Sequence, residues 1–140
     1  MKTLTASLSV ASQISPADVA GLAEAGYRAI ICNRPDGEAA DQPSFAEIAE
    51  AAAAAGIVCH NLPIIPGQLS DADAEAFGRL LEEVQGPVLA FCRTGTRSTT
   101  LWCLSKAGSV PTVEILGTAA NAGYDLSYLT GRIEALAAQR

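Results

Sequence analysis

The chain is short of several things that would each announce a function. It has a single histidine, His60, and four cysteines, none of which form a C-x-x-C pair. That leaves no ligand set at zinc spacing, so no metal and no other cofactor is expected. Charge is scarce at 17% of residues against 49% hydrophobic, the inverse of a disordered chain. Basic residues are outnumbered, Lys+Arg 9 against Asp+Glu 15 for a formal net charge of -6, so no basic surface is available to track nucleic-acid phosphates. No apolar stretch approaches the roughly 20 residues of a membrane span. Thr3, Thr5, Ser7, Ser9, Ser12 and Gln13 break up the start, which does not read as a secretory leader. The cysteines are therefore expected as reduced thiols in a cytoplasmic protein, and 140 residues fit one domain, residues 1–140. Oligomeric state is not legible.

What is present is an alternation. Residues 4–10 alternate in parity at Leu4, Ala6, Leu8 and Val10, predicting one short strand at a sheet edge. Ser15-Pro16-Ala17-Asp18 reads as a helix start and Gly26 as its end. Apolar runs at 27–32, 57–62 and 87–91 read as strands. Between them lie helices opened by Pro43-Ser44 and closed by Gly56, and opened by Ser70 and closed by Gly86-Pro87. Two more helical stretches follow, over 111–122 and from Asp125 or Ser127 onward. Strand and helix in turn, with short connections, predict an α/β fold: three layers, a short, mostly parallel central sheet, and helices on both faces. Ligands in such sheets bind beyond the carboxyl ends of the strands, so the loops after residues 32, 62 and 91 are expected to meet there.

One of those loops carries the chemistry. Phe91-Cys92-Arg93-Thr94-Gly95-Thr96-Arg97-Ser98 places a thiol at the end of a buried strand, with a helix expected from about Thr99. Backbone N–H groups of such a loop and the helix N-terminus form an anion cradle whose field favours thiolate. Cys92 is thus the candidate nucleophile and Arg97 the guanidinium that holds an oxyanion through paired donors. Arg93 is expected to face outward and draw anions. Gly95 permits the turn; Thr94, Thr96 and Ser98 complete the cradle, with the hydroxyls of Thr96, Ser98 and Thr99 in range of thiolate or ligand and Ser98 also able to cap the helix. Cys32, Cys59, Cys103, His60 and Trp102 read as structural.

The loop Cys92 to Ser98 looks like the active loop of rhodanese-type sulfurtransferases. With Ser12-Gln13-Ile14-Ser15, Asn33-Arg34-Pro35-Asp36-Gly37-Glu38 and Ala122-Gly123-Tyr124-Asp125, the whole chain resembles the bacterial beta-lactamase-hydrolase-like, phosphatase-like family (DUF442). The resemblance implies a fold similar to dual-specificity cysteine phosphatases. It also implies a persulfide dioxygenase as partner, since members occur fused to one.

Loop and fold point to different reactions. Cysteine phosphatases place five residues between cysteine and arginine, whereas four separate Cys92 from Arg97. The shorter loop favours a sulfurtransferase that carries sulfane sulfur as a Cys92 persulfide, from thiosulfate or a small persulfide to a thiol or sulfite; the expected partners are that anionic donor and thiol acceptor. The alternative is a phosphatase working through a Cys92 phosphoenzyme, which needs a proton donor for the leaving oxygen. Asp71 and Asp73 follow the loop where phosphatases of this fold often keep that acid, though both also suit a helix first turn. Asp36 and Glu38 are further pocket candidates, with Arg34 pairing one of them. A non-catalytic anion-binding module is the third reading.

Overall fold

The computed structural model describes residues 1–140. Five strands, β1 (Lys2–Thr5), β2 (Leu8–Ala11), β3 (Ala29–Cys32), β4 (Val58–Asn61) and β5 (Val88–Phe91), form one sheet in the order β1-β2-β5-β3-β4. All pairings are parallel except β1 with β2. The helices are α1 (Val19–Glu24), α2 (Phe45–Ala55), α3 (Asp71–Glu83), α4 (Thr96–Ser105), α5 (Thr112–Asn121) and α6 (Thr130–Gln139). None of them is long and apolar enough to cross a membrane.

Strand alternation divides the core into two layers. On one face Leu8, Val10, Ala29, Ile31, Val88 and Ala90 pack under α3 to α6, where Phe77, Leu101, Trp102, Ile115 and Ile133 are buried. On the other face Ala11, Ile30, Cys32, Leu89 and Phe91 meet Val19, Leu22, Ile48 and Ala52 of α1 and α2. The α/β, three-layer expectation is met.

The N-terminal expectation is not. Residues 4–10 form no single edge strand: the chain reverses at Ala6-Ser7, where the Ser7 N–H donates to Thr5 Oγ1 at 3.2 Å. The shared parity of Leu4, Leu8 and Val10 arises because two antiparallel strands present their core faces to the same layer. As a result β2 lies inside the sheet beside β5, and its carboxyl end joins those of β3 and β4 around Phe91.

Local signals set the helix ends. Ser44 and Ser70 each accept from the N–H three residues on, Glu47 at 3.2 Å and Asp73 at 3.1 Å. Gly56 closes α2 in the left-handed region at φ 77°.

Candidate active site

Cys92 follows β5 directly and is fully buried, its N–H donating to Ala11 O at 3.3 Å. Its sulfur accepts from the Gly95 N–H at 3.0 Å. Gly95, at φ 91°, is the N-cap of α4, and no side chain caps that end. The first N–H groups of a helix have no intrahelical acceptor. The Thr99 N–H closes on Gly95 O, which leaves the Thr96, Arg97 and Ser98 amides free at the turn nearest the thiol.

Helix α4 begins at Thr96, three residues earlier than the sequence implies, so Arg97 and Ser98 belong to its first turn. The Ser98 hydroxyl is neither a cap nor an anion donor: buried, it donates to Asn33 Oδ1 at 2.7 Å. Thr99 likewise spends its hydroxyl on Gly95 O at 2.8 Å. Thr94 Oγ1 lies 3.1 Å from Thr96 Oγ1 at the exposed lip, and Arg93 is exposed.

Arg97 is where the loops meet. Its Nη1 and Nη2 donate to the two Glu38 oxygens at 2.7 and 2.8 Å, and Nη1 also donates to Ile64 O at 2.8 Å. Three of five donors are thereby used; Nε–H and one Nη2 proton, the side-on fork, have no protein oxygen. Arg97 is held protonated more firmly than usual, first by Glu38 and, against the opposing effect of burial, by the Cys92 sulfur. Glu38 is held below the ordinary carboxylate range chiefly by Arg97, against burial and with help from Arg34.

A chain of contacts backs this pair. Arg34, itself buried, donates to Glu38 Oε1 at 3.0 Å and to Gln13 Oε1 at 3.1 Å. The Gln13 N–H reaches Arg93 O at 3.4 Å, closing a ring back onto the cysteine loop. Asn33, also buried, ties the strand ends: its N–H donates to Phe91 O at 2.8 Å, its Nδ2 to Leu62 O at 3.0 Å, and its carbonyl accepts from Ile64 N at 2.9 Å. The loops after 32, 62 and 91 do converge, and the loop after Ala11 joins them.

The other acid candidates are engaged elsewhere. Asp36 Oδ1 accepts from the Phe45 N–H at 2.8 Å at the start of α2. Asp71 pairs with Arg132 at 2.8 Å, and Asp73 accepts from the Ser70 N–H at 2.9 Å, completing a capping box. His60 sits on the sheet-edge strand β4, opposite Ile31, and lines a surface cleft with Arg28, Val58 and Glu83. Burial pushes the spare thiols up, Cys32 and Cys59 to about 11 and Cys103 to about 12.

Sequence reasoning did not single out Asn33, Gln13 or Tyr124. The Tyr124 hydroxyl donates to Thr94 O at 3.0 Å. All three lie in stretches that carry the family resemblance, which is the one signal that reaches them; no spacing does.

A strand-end cysteine, a loop amide on its sulfur and an arginine on the following helix turn meet at the carboxyl edge of a three-layer sheet. Residues 1–109 match the family described as beta-lactamase hydrolase-like protein, phosphatase-like domain, and the chain belongs to that family. The beta-lactamase hydrolase-like protein of Agrobacterium fabrum is 36% identical over 129 residues, 91% of this chain and 30% of that protein. That of Xylella fastidiosa strain 9a5c is 33% identical over 134 residues, 94% of this chain and 31% of that protein. The chain thus spans under a third of the length of these curated relatives. A crystal structure from Neisseria meningitidis, described as a candidate phosphatase, is 36% identical, covers 96% of both chains and superposes with a TM-score of 0.86. Tk-PTP, at 17% identity, covers 99% of this chain and 96% of its own with a TM-score of 0.78, a likeness of fold alone.

These relatives overturn the sulfur-transfer expectation, since the matching family is described as phosphatase-like and the 36%-identical Neisseria meningitidis structure as a candidate phosphatase. The expectation rested on counting four residues between Cys92 and Arg97. That count assumed a loop closed by its own arginine, whereas Arg97 stands on α4 and its guanidinium is set by Glu38 and Ile64 from other loops.

Proposed function

We propose that the chain is a cysteine-dependent phosphatase that hydrolyses phosphomonoesters through a Cys92 phosphoenzyme. What carries the reading is one conjunction: a sulfur nucleophile receiving an N–H at 3.0 Å, beside a guanidinium whose side-on fork meets no protein oxygen. The phosphoryl oxygens take the uncapped α4 amides and the Nε/Nη2 fork of Arg97. The Cys92 thiolate attacks phosphorus; the S–P bond forms as the P–O bond to the leaving group breaks. Water then attacks the phosphoenzyme, the S–P bond breaks, and inorganic phosphate leaves with the thiolate restored. Both displacements are helped by charge stabilisation rather than by a metal.

None of the four acid candidates stands free to protonate the leaving oxygen. Asp36, Asp71 and Asp73 are bonded elsewhere, and Glu38 is ionised against two arginines. The reading therefore favours weakly basic leaving groups, phenolates before alkoxides. The test is release of phosphate from a series of aryl and alkyl phosphates. Expected are turnover that falls steeply as the leaving group becomes more basic and its loss in Cys92→Ser. Equal rates on alkyl esters, or turnover that survives Cys92→Ser, would contradict it; oxyanion binding with no turnover would leave an anion-binding module.

A further inference from the structure

The Thr94 carbonyl and the Gly95 N–H belong to one peptide group, and the structure holds that group at both ends. Outside, the Tyr124 hydroxyl donates to Thr94 O at 3.0 Å; inside, the Gly95 N–H donates to Cys92 Sγ at 3.0 Å. A trans peptide is a rigid plane with its N–H and C=O opposed, so fixing the oxygen outward fixes the proton inward. Were the plane to turn over, a carbonyl oxygen would face the thiolate in place of a donor. Gly95 is the residue on which such a turn is least hindered, being free to take either sign of φ.

We propose that Tyr124 is a positioning residue for the nucleophile: it locks the Thr94–Gly95 peptide so that its N–H points at Cys92. The inference rests on the reading of Cys92 as a nucleophile in an anion cradle. Three further observations bear on it. A Cβ on Gly95 would collide with the Tyr124 hydroxyl, so ring and loop are fitted together without spare space. The Tyr124 phenol is held protonated above its ordinary range, by burial first and by the Cys92 sulfur next, which keeps it a donor. Its backbone is set for this: α5 ends, Gly123 takes φ 99°, and the Tyr124 N–H returns to Ala119 O at 2.9 Å. Tyr124 lies outside the 1–109 segment that matches the family, so this contact is supplied from beyond it.

The test uses the intact chain and Tyr124→Phe, which keeps the ring and removes the donor. Three quantities are read: the Gly95 amide resonance by NMR, the Kd for tungstate as a phosphate mimic, and kcat and KM on an aryl phosphate. The expected result is a melting temperature lowered by no more than about 6 °C, a Gly95 amide proton moved upfield and broadened, and tungstate binding about 3- to 10-fold weaker, the range for loss of one neutral hydrogen bond. Tyr124→Ala is expected to do the same or more. An unmoved Gly95 amide with unchanged tungstate affinity in either variant overturns the proposal. The amide shift and tungstate binding require no turnover. An inert wild-type chain would therefore refute the proposed reaction and leave this inference standing, whereas a fully active Tyr124→Phe with an unmoved amide would refute this inference alone.

Discussion

Replacing Glu38 by glutamine separates two roles that its geometry permits. The carboxylate accepts from Arg97 at 2.7 and 2.8 Å and from Arg34 at 3.0 Å. If it aims Arg97, its loss scatters the side-on fork; if it merely occupies Arg97 in place of substrate, its loss frees the site. The donor count favours aiming, because Glu38 takes the end-on pair and leaves Nε with Nη2. An amide retains one acceptor oxygen and sets an NH2 against a guanidinium, so at most part of the bonding survives. A charged hydrogen bond is worth about 1.5–3 kcal/mol. With side chains 15% and 19% exposed the loss is discounted by solvent to about 1–2 kcal/mol. In a chain of this size that lowers the melting temperature by about 3–8 °C. A guanidinium displaced by about 1 Å lowers kcat/KM by roughly 10- to 100-fold. The pH profile gives an independent reading. Glu38 has its folded pKa below its unfolded value, so the pair contributes fully above about pH 4.3, and that contribution is lost as pH falls through the lower folded value. Calorimetry from pH 3 to 7 is expected to show a smaller acid loss of stability in Glu38→Gln, beside reduced turnover of an aryl phosphate. A variant that melts lower yet turns over faster, or binds tungstate more tightly, would refute the aiming role.

Iodoacetamide at neutral pH is expected to spare Cys32, Cys59 and Cys103, whose thiols burial holds near 11 to 12; peptide mass mapping reads it, and rapid labelling of any of the three would contradict it. Asp71→Asn and Asp73→Asn are expected to leave kcat on an aryl phosphate within about 2-fold, because their carboxylates serve Arg132 and the α3 cap; their effect lies in stability, about 0–1 kcal/mol for the exposed ion pair. A large fall in kcat for either would restore it as the general acid. Ser98→Ala strands the buried Asn33 Oδ1 and is expected to destabilise by about 1–3 kcal/mol in chemical denaturation.

The alternation of strands and helices was readable because each element carries its own local signal. Ser44, Ser70 and Gly56 mark helix ends by short-range hydrogen bonding and backbone freedom, and Cys92 announces itself by standing between an apolar strand and a glycine turn. What escaped depends on contacts distant in sequence. That β2 is interior follows from its pairing with β5, eighty residues on, and with it came the role of Gln13. The start of α4 at Thr96 is a matter of backbone geometry at Gly95 and has no capping side chain to signal it. Asp71 and Asp73 could not be told from acids by position alone, since the helix first turn and the pocket rim ask for the same residue type. Loop length misled for a related reason: the closing of the site by Glu38 and Ile64 is set by other loops, which a residue count cannot see.

The central claim is that Cys92 carries the phosphoryl group. It is tested most directly by rapid acid quench of the chain during turnover of an aryl phosphate, followed by intact and peptide mass measurement. The account predicts a mass gain of one phosphoryl group on the Cys92 peptide that forms within the first turnover, decays as substrate is consumed, and is absent in Cys92→Ser. Phosphate released with no such adduct, or an adduct on any other residue, would contradict it.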